Sequence, residues 1–425
     1  MFSQLTPRLM RHKSTLVYTG SNVTLAAANF LGSFICARLL APSDLGAVQT
    51  AMLLLSYVGF LHFGVFNGFN RHYPFLLGQG DLKAAGLLVQ VGYTVARLTA
   101  LVAAIIAAGQ FLFAWKRSDD SALVLATAAV IPIVALTLIN TLQMAILAGR
   151  QDFGWIARTQ FLTAFATVAL LPLVWKFSVG GQCARLVAVA AISWALFRLK
   201  IGDGCAWRWD TSAVSELFKI GFPILAIGYV YSIFSVADRT LLAWVRGTEA
   251  VGQYALAGLT VAAIQSIALP LGAATYSKAN QAYGRSQALA SLTGPLKRFL
   301  ILLTISVLPL AVLIYFCLPV AVPWLLPQYT AGIRAGQIAC IASVAFCYSG
   351  TAFVYNVTRH NLVYGVIVGA GLTSFFLIGF LIPKSALTLE RVAWLRAIIS
   401  VFICLVSNAY LFWYFRRNRE PQSLG

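Results

Sequence analysis

Again and again along this chain, a run of about twenty mostly apolar residues is closed by a short polar or basic stretch. A helix rises ~1.5 Å per residue, so about twenty residues cross the ~30 Å hydrocarbon core of a bilayer. No water is present there to bond backbone amides, and a helix satisfies them within itself. Spans are expected near 15–37, 48–66, 86–115, 122–147, 155–175 and 182–199. A second set follows near 218–243, 251–273, 297–326, 334–356, 361–382 and 391–415. The expected class is an all-α polytopic membrane protein of about 12 transmembrane helices. Composition agrees, with 60% of the 425 residues hydrophobic and 10% charged, against roughly a half and a quarter in soluble domains.

A formal net charge of +19 raises the question of nucleic acid. Such binders gather their bases on one face or tail, whereas here they fall in small groups between apolar runs. Nucleic acid is therefore excluded as a partner, and the positive-inside bias explains the pattern. Counting Lys and Arg on alternate loops places both termini in the cytoplasm. The first apolar run is long, contains Asn22 and Asn29, and lacks a small-x-small cleavage site, so it reads as a span rather than a signal peptide. The seven cysteines are scattered with no C-x-x-C pair, and the four histidines are far apart. No disulfide framework, metal site or cofactor is expected, and no Walker-type glycine loop points to ATP.

The one sizeable break is "FRLKIGDGCAWRWDTSAVSELFK", residues 197–219. It sets the expected organisation: an N-terminal six-helix lobe over 1–200, a cytoplasmic interlobe linker over 201–216, and a C-terminal six-helix lobe over 217–425. A surface-lying amphipathic piece anchored by Trp207 and Trp209 is expected within the break. The two halves also echo each other. "LAPSDLGAVQTA" aligns with "RGTEAVGQYALA" through Gly46 and Gly252, "GQGDLKAA" with "AYGRSQAL" through Gly80 and Gly284, and "AGRQDFGW" with "VTRHNLVY" through Arg150 and Arg359. The offsets are nearly equal and close to half the chain, as two homologous halves in parallel orientation require. Parallel repeats of this kind are a transporter architecture.

These landmarks resemble a known family. "ARLLAPSDLGAVQTA" is similar to the segment opening the second helix of polysaccharide flippases, and "FGVFNGFNRHYPFLLGQGD" to the turn that follows it. "LFKIGFPILAIGYVYSIFSVADRTLLAWVRGTEAVGQYALA" is similar to their seventh helix and its exit, with a K-x-G-x-P opening, a D-R pair and G-x-E-x-V-G-x-Y. The resemblance covers the whole chain and identifies it with the polysaccharide transporter (Wzx-like) branch of the multidrug/oligosaccharidyl-lipid/polysaccharide (MOP) flippase superfamily. It implies two six-helix lobes forming a V around a central cavity that alternates its opening. The implied cargo is an oligosaccharide on a polyprenyl pyrophosphate, moved from the cytoplasmic to the outer leaflet of a bacterial inner membrane. Glycan polymerase and chain-length machinery are implied partners of a monomeric transporter. Coupling to protons, sodium or membrane potential stays open. The segment "AATYSKANQAYG" departs from the pattern by lacking a proline before its turn.

An anionic headgroup calls for fixed positive charge, and a guanidinium forks onto phosphate oxygens. Charged groups within spans normally face the protein interior or water. Arg97, set in "VGYTVARLTALVAAIIAAG", is the first candidate for a cavity-facing anion ligand, against the alternative of snorkelling to a span end. Asp238 and Arg239 are neighbours on one helix and point ~100° apart, so each needs another partner. Either Arg239 faces cargo phosphate with Asp238 balancing a base or carrying a coupling ion, or both belong to a structural ion pair near the outer boundary. Arg38 is expected to pair with Asp44 across the first turn. Arg158 reaches towards the inward mouth, and Asn29, with Asn140, Gln143 and Gln265, could bond sugar hydroxyls or another helix. Tyr57, Tyr93, Tyr229 and Tyr231 are candidates to stack on sugar rings.

Two other functions compete. A polyprenyl-dependent glycosyltransferase or polymerase needs catalytic acids or bases near a large outer loop, whereas Asp119-Asp120 is the sole acidic pair in a short turn. No enzyme activity is expected. A multidrug exporter of cationic compounds would favour buried acids, whereas these spans offer arginines and essentially one acid, Asp238.

Overall fold

A computed structural model of the chain describes residues 5–202, 206–286, 288–358 and 360–418. Arg359 of the repeat alignment and Cys205 lie outside them. In chain order the helices are α1 (Leu5–Leu39), α2 (Pro42–Val58), α3 (Val65–Gln79), α4 (Leu82–Arg117), α5 (Ser121–Gly149), α6 (Phe153–Ala169) and α7 (Leu171–Ile201). There follow α8 (Thr211–Arg246), α9 (Thr248–Gln253), α10 (Ala255–Ser286), α11 (Ala290–Leu325), α12 (Ile333–Tyr348), α13 (Ala352–Val357), α14 (Asn361–Leu381) and α15 (Leu389–Arg417). The described residues form no strand, so the all-α class holds.

The scarce acids explain where several helices start. Asp81 accepts from Ala84 N at 2.9 Å, Asp120 from Ala122 N at 2.9 Å, Asp152 from Trp155 N at 3.1 Å and Asp210 from Ala213 N at 3.0 Å. Each carboxylate satisfies an amide that the first turn leaves without an intrahelical partner and complements the positive helix end. Asp120, half of the acidic pair, is thereby accounted for as an N-cap.

Among the described residues nine helices are long and apolar enough to cross a membrane, or eleven when two bent pairs are each taken as one span. The chain bends by 72° between α6 and α7, and beyond a second break inside α7 its 179–201 part runs antiparallel to α6 as a hairpin. Lys200 Nζ meets Asp152 at 3.2 Å, Trp155 Nε1 donates to Leu196 O at 3.0 Å, and Arg185 Nη1 donates to Thr167 O at 2.9 Å. Positions climbing α6 therefore meet positions descending α7. The turnover is made at Ser178, where φ is 49° and ψ −125°. Taken as two spans, the hairpin brings the number among the described residues to twelve.

The chain divides into two compact units, Met1–Tyr229 and Val230–Gly425. Within the first, α4 packs on α5, α5 on α7 and α6 on α7; within the second, α11 packs on α12, α12 on α15 and α14 on α15. Counting α12–α13 and α2–α3 as single spans, these are equivalent pairings. The repeat read from the sequence is thus a repeat of packing. The seam between α3 and α8 inside the first unit depends on missing side chains. A Cβ on Gly221 would stand 1.8 Å from Gly64 O, and one on Gly68 would stand 2.1 Å from Leu217 O. Gly64 itself has φ of +83°, a conformation glycine adopts without a Cβ penalty. Two of the sequence landmarks, "FGVFNGF" and "KIGFP", are therefore the two faces of one backbone contact.

Candidate functional site

In the first unit, Arg97 lies fifteen residues into α4, ~22 Å from its start. Residues Val91–Ala96 just before it are all buried, and the run of exposed apolar side chains begins just after it with Leu98, Leu101, Val102 and Ile105. Twenty residues separate Arg97 from Arg117, ~30 Å of helix, which matches the hydrocarbon thickness. Arg97 therefore marks one rim of the apolar belt rather than its middle. The sequence places it deeper because the first turns of α4 are equally apolar, being covered by protein instead of lipid.

Among the described residues Arg97 has no acid partner. Its Nη1 is buried without a hydrogen bond, and its guanidinium carbon lies 5.8 Å from the Tyr93 ring centroid and 5.3 Å from that of Trp207. One turn earlier, Thr94 Oγ1 accepts from Arg208 N at 2.9 Å. The segment 206–210 thus runs across α4 at this level. It carries no helix of its own, so Trp207 anchors on α4 and an amphipathic surface piece is absent among the described residues.

Arg185, which the sequence reading passed over, is 5% exposed. Its guanidinium is held entirely by neutral groups: Nε donates to Gln182 Oε1 at 3.0 Å, Nη1 to Thr167 O at 2.9 Å and Nη2 to Cys36 Sγ at 3.5 Å. These ties join α1, α6 and α7. Gly32 leaves room for them, since a Cβ there would lie 3.0 Å from Arg185 Nη1.

The second unit holds the buried acid. Asp238 is 8% exposed; its Oδ2 accepts from Tyr254 Oη at 3.0 Å and its Oδ1 from Arg239 N at 2.9 Å. The charges of Arg396 and Arg239 act on the same Asp238–Tyr254 pair. Arg396, on α15, donates to Phe234 O and stacks 3.6 Å from the Phe234 ring centroid. Asp238 is therefore bonded by Tyr254 and by the backbone amide of its neighbour, with the Arg396 charge of the last helix nearby, and the Arg239 side chain does not pair with it. Arg396 is the second base in "RVAWLRAIISVFICLV", after Arg391, but nothing local says that it returns to α8.

The remaining candidates are not gathered into either cluster. Arg38 is exposed in the last turn of α1, and no ion pair joins it to Asp44. It sits instead where a cation complements the helix C-terminus. Asn29 and Arg158 are exposed, with no hydrogen bond among the described residues. Arg239 is half-buried and its guanidinium is unpaired among them. Of the amides, Asn140 Nδ2 donates to Ala190 O at 3.1 Å and ties α5 to α7. Of the tyrosines, Tyr229 donates to Tyr57 O at 2.6 Å, a structural use.

The described residues thus make two units of repeated helix packing, one with a guanidinium at a belt rim and the other with a buried acid near arginines. The chain is similar to an inward-facing multidrug resistance MATE family transporter of the MOP superfamily, with a TM-score of 0.76 at 15% identity, covering 94% of this chain and 96% of that one. It is similar to the lipid II flippase MurJ in an inward closed conformation, with a TM-score of 0.73 at 13% identity, covering 93% and 87%. A MOP superfamily transporter from Pyrococcus furiosus, described by the reverse polarity of its binding pocket, gives 0.64 at 14% identity over 96% and 97%. No curated protein sequence matches the chain. Residues 35–330 match the polysaccharide biosynthesis protein family, and the chain belongs to that family.

Proposed function

We propose that this protein is a flippase. It moves a polyprenyl-pyrophosphate-linked oligosaccharide, the repeat unit of an O-antigen, exopolysaccharide or capsule, from the cytoplasmic to the outer leaflet of a bacterial inner membrane. Transport is by alternating access, driven by a proton, a sodium ion or the membrane potential. The observation that carries this reading is Arg97: a guanidinium with a buried, unpartnered nitrogen and, among the described residues, no paired carboxylate, at the rim of the apolar belt. A lipid diphosphate presents its charge at that same level, where the hydrocarbon ends. Two N–H groups of one guanidinium match two phosphate oxygens, and the charge-assisted bonds are about twice as strong as neutral ones. Polysaccharide biosynthesis family membership supports the glycan half of the cargo.

Export of cationic small molecules, as in a multidrug exporter, draws on Asp238 alone. That carboxylate is occupied by Tyr254 and lies in the field of two arginines, so the cluster offers a cation no net negative charge.

The test is a strain lacking the gene and any second flippase. Lipid-linked repeat units should accumulate on the cytoplasmic leaflet, and the wild-type gene should release them. Arg97→Ala, at normal protein abundance, should fail to do so. Normal surface glycan in the deletion strain overturns the assignment, and normal export by Arg97→Ala removes that residue from it.

A further inference from the structure

The second unit contains a half-open cavity of about 290 Å³; its Phe346 wall has the Arg396 guanidinium 5.7 Å from the ring centroid, but no charged side chain lines the space itself. Its aromatic wall is arranged in pairs: Tyr231 stacks on Phe346 at 4.7 Å, and Phe299 meets Phe353 edge-on at 5.5 Å. Its polar groups are the Tyr231 and Tyr276 hydroxyls, the Cys347 thiol and the amides of Gln265 on α10 and Asn356 on α13; neither amide makes a hydrogen bond among the described residues. No Asp, Glu, Lys or Arg lines it.

The cavity is built, not left over. Between α12 and α13 the helix tightens into a 3-10 turn at Ser349–Thr351, and such mid-helix turns often mark functional positions. Asn408 of α15 holds the break open by donating to Tyr348 O at 3.4 Å and accepting from Thr351 Oγ1 at 3.0 Å. At its centre Gly350 leaves the Phe299 ring room, since a Cβ there would come within 3.3 Å of Cζ. Across the cavity, Gly272 faces open space.

This lining selects among ligand classes. A phosphate needs a cation and an organic cation needs a carboxylate; neither is present. A lipid chain would leave two free amides desolvated, at about 1–3 kcal/mol per unmet polar group. Each amide offers two donors and an acceptor oxygen, a match for vicinal hydroxyls. The negative faces of aromatic rings suit the C–H face of a pyranose. The volume lies at the low end of the ~300–1,000 Å³ range of ligand pockets, room for one ring rather than a chain of them.

We infer that this cavity is a subsite for one uncharged sugar ring of the cargo glycan, bound by stacking on the Tyr231–Phe346 wall and by the Gln265 and Asn356 amides. The inference rests on the glycolipid reading above and adds the recognition element that Arg97, which sees only phosphate, does not supply.

The full-length protein in nanodiscs tests it by calorimetric titration. The probes are a short-chain polyprenyl diphosphate and the same lipid carrying glucose, galactose, N-acetylglucosamine or N-acetylgalactosamine. At least one sugar should tighten binding about tenfold over the bare diphosphate. Gly272→Leu puts an isobutyl group into open space and raises helix propensity, so it should fold, erase that gain and leave the bare lipid's Kd unchanged. Gln265→Ala and Asn356→Ala should each reduce the gain several-fold. A sugar gain that survives Gly272→Leu, or no gain with any sugar while the bare diphosphate still binds, overturns the subsite and leaves the flippase standing. No binding of any of these lipids overturns the glycolipid reading and the subsite with it.

Discussion

Replacing Gly221 by alanine should separate two helices that meet backbone to backbone. The added Cβ would stand 1.8 Å from Gly64 O and 2.4 Å from Gly68 N, whereas an ordinary carbon–oxygen approach is ~3.3–3.6 Å. The α3 and α8 backbones must therefore part by about 1.5 Å. Neither neighbour is a side chain that could rotate away, and Gly68 N already donates to Gly64 O at 2.9 Å. Overpacking typically costs about 1–3 kcal/mol and occasionally more, and an obstruction made only of backbone belongs at the upper end. Alanine returns ~1 kcal/mol of helix propensity, leaving a net loss of about 2 kcal/mol. For a unit of this size each kcal/mol moves the midpoint ~2–4 °C, so a fall of about 4–8 °C is expected. The assay is the fraction of monodisperse protein remaining after heating in detergent for a fixed time, because such unfolding is irreversible and depends on rate. Gly86→Ala is the control: it lies exposed on α4 with nothing within 4 Å of its Cβ, and should be neutral or slightly stabilising. If Gly221→Ala melts with the parent, the close seam of α3 and α8 is wrong.

Arg97→Lys keeps the charge but loses the planar fork, so export measured as surface glycan should fall several-fold, short of the loss in Arg97→Ala; equality with wild type would show that charge alone suffices. Arg396→Ala strips a compensating charge from buried Asp238 and should destabilise by about 3 kcal/mol, whereas Asp238→Asn keeps an acceptor for Tyr254 and should cost less; the reverse order in thermal melts would refute the cluster. Asp120→Ala removes an N-cap worth ~1 kcal/mol and should lower the melting temperature slightly while leaving transport per folded molecule unchanged, which a catalytic role for that carboxylate would not allow.

The repeated apolar runs settled the class of this protein and its approximate spans without reference to one another. The bilayer demands the same length and the same lack of charge of every segment, whatever it packs against. The repeat was legible for a related reason, since glycines and turn acids recur at fixed offsets. Gly64, Gly221 and the capping aspartates could be found because a turn or a close approach leaves a local mark. The clusters left none. Arg185 gathers partners from α1, α6 and α7, and Arg396 reaches back to Phe234. Tyr231 and Gln265 each looked like an isolated polar group in a span until the break at Ser349–Thr351 opened a cavity between them. Arg97 was found but set too deep, because apolar side chains covered by protein read the same as those covered by lipid. What the sequence determined is what each helix must be in order to live in a membrane. Which charges meet, and where a helix gives way to a chamber, was decided only when helices distant in the chain were packed together, because those contacts depend on both partners at once.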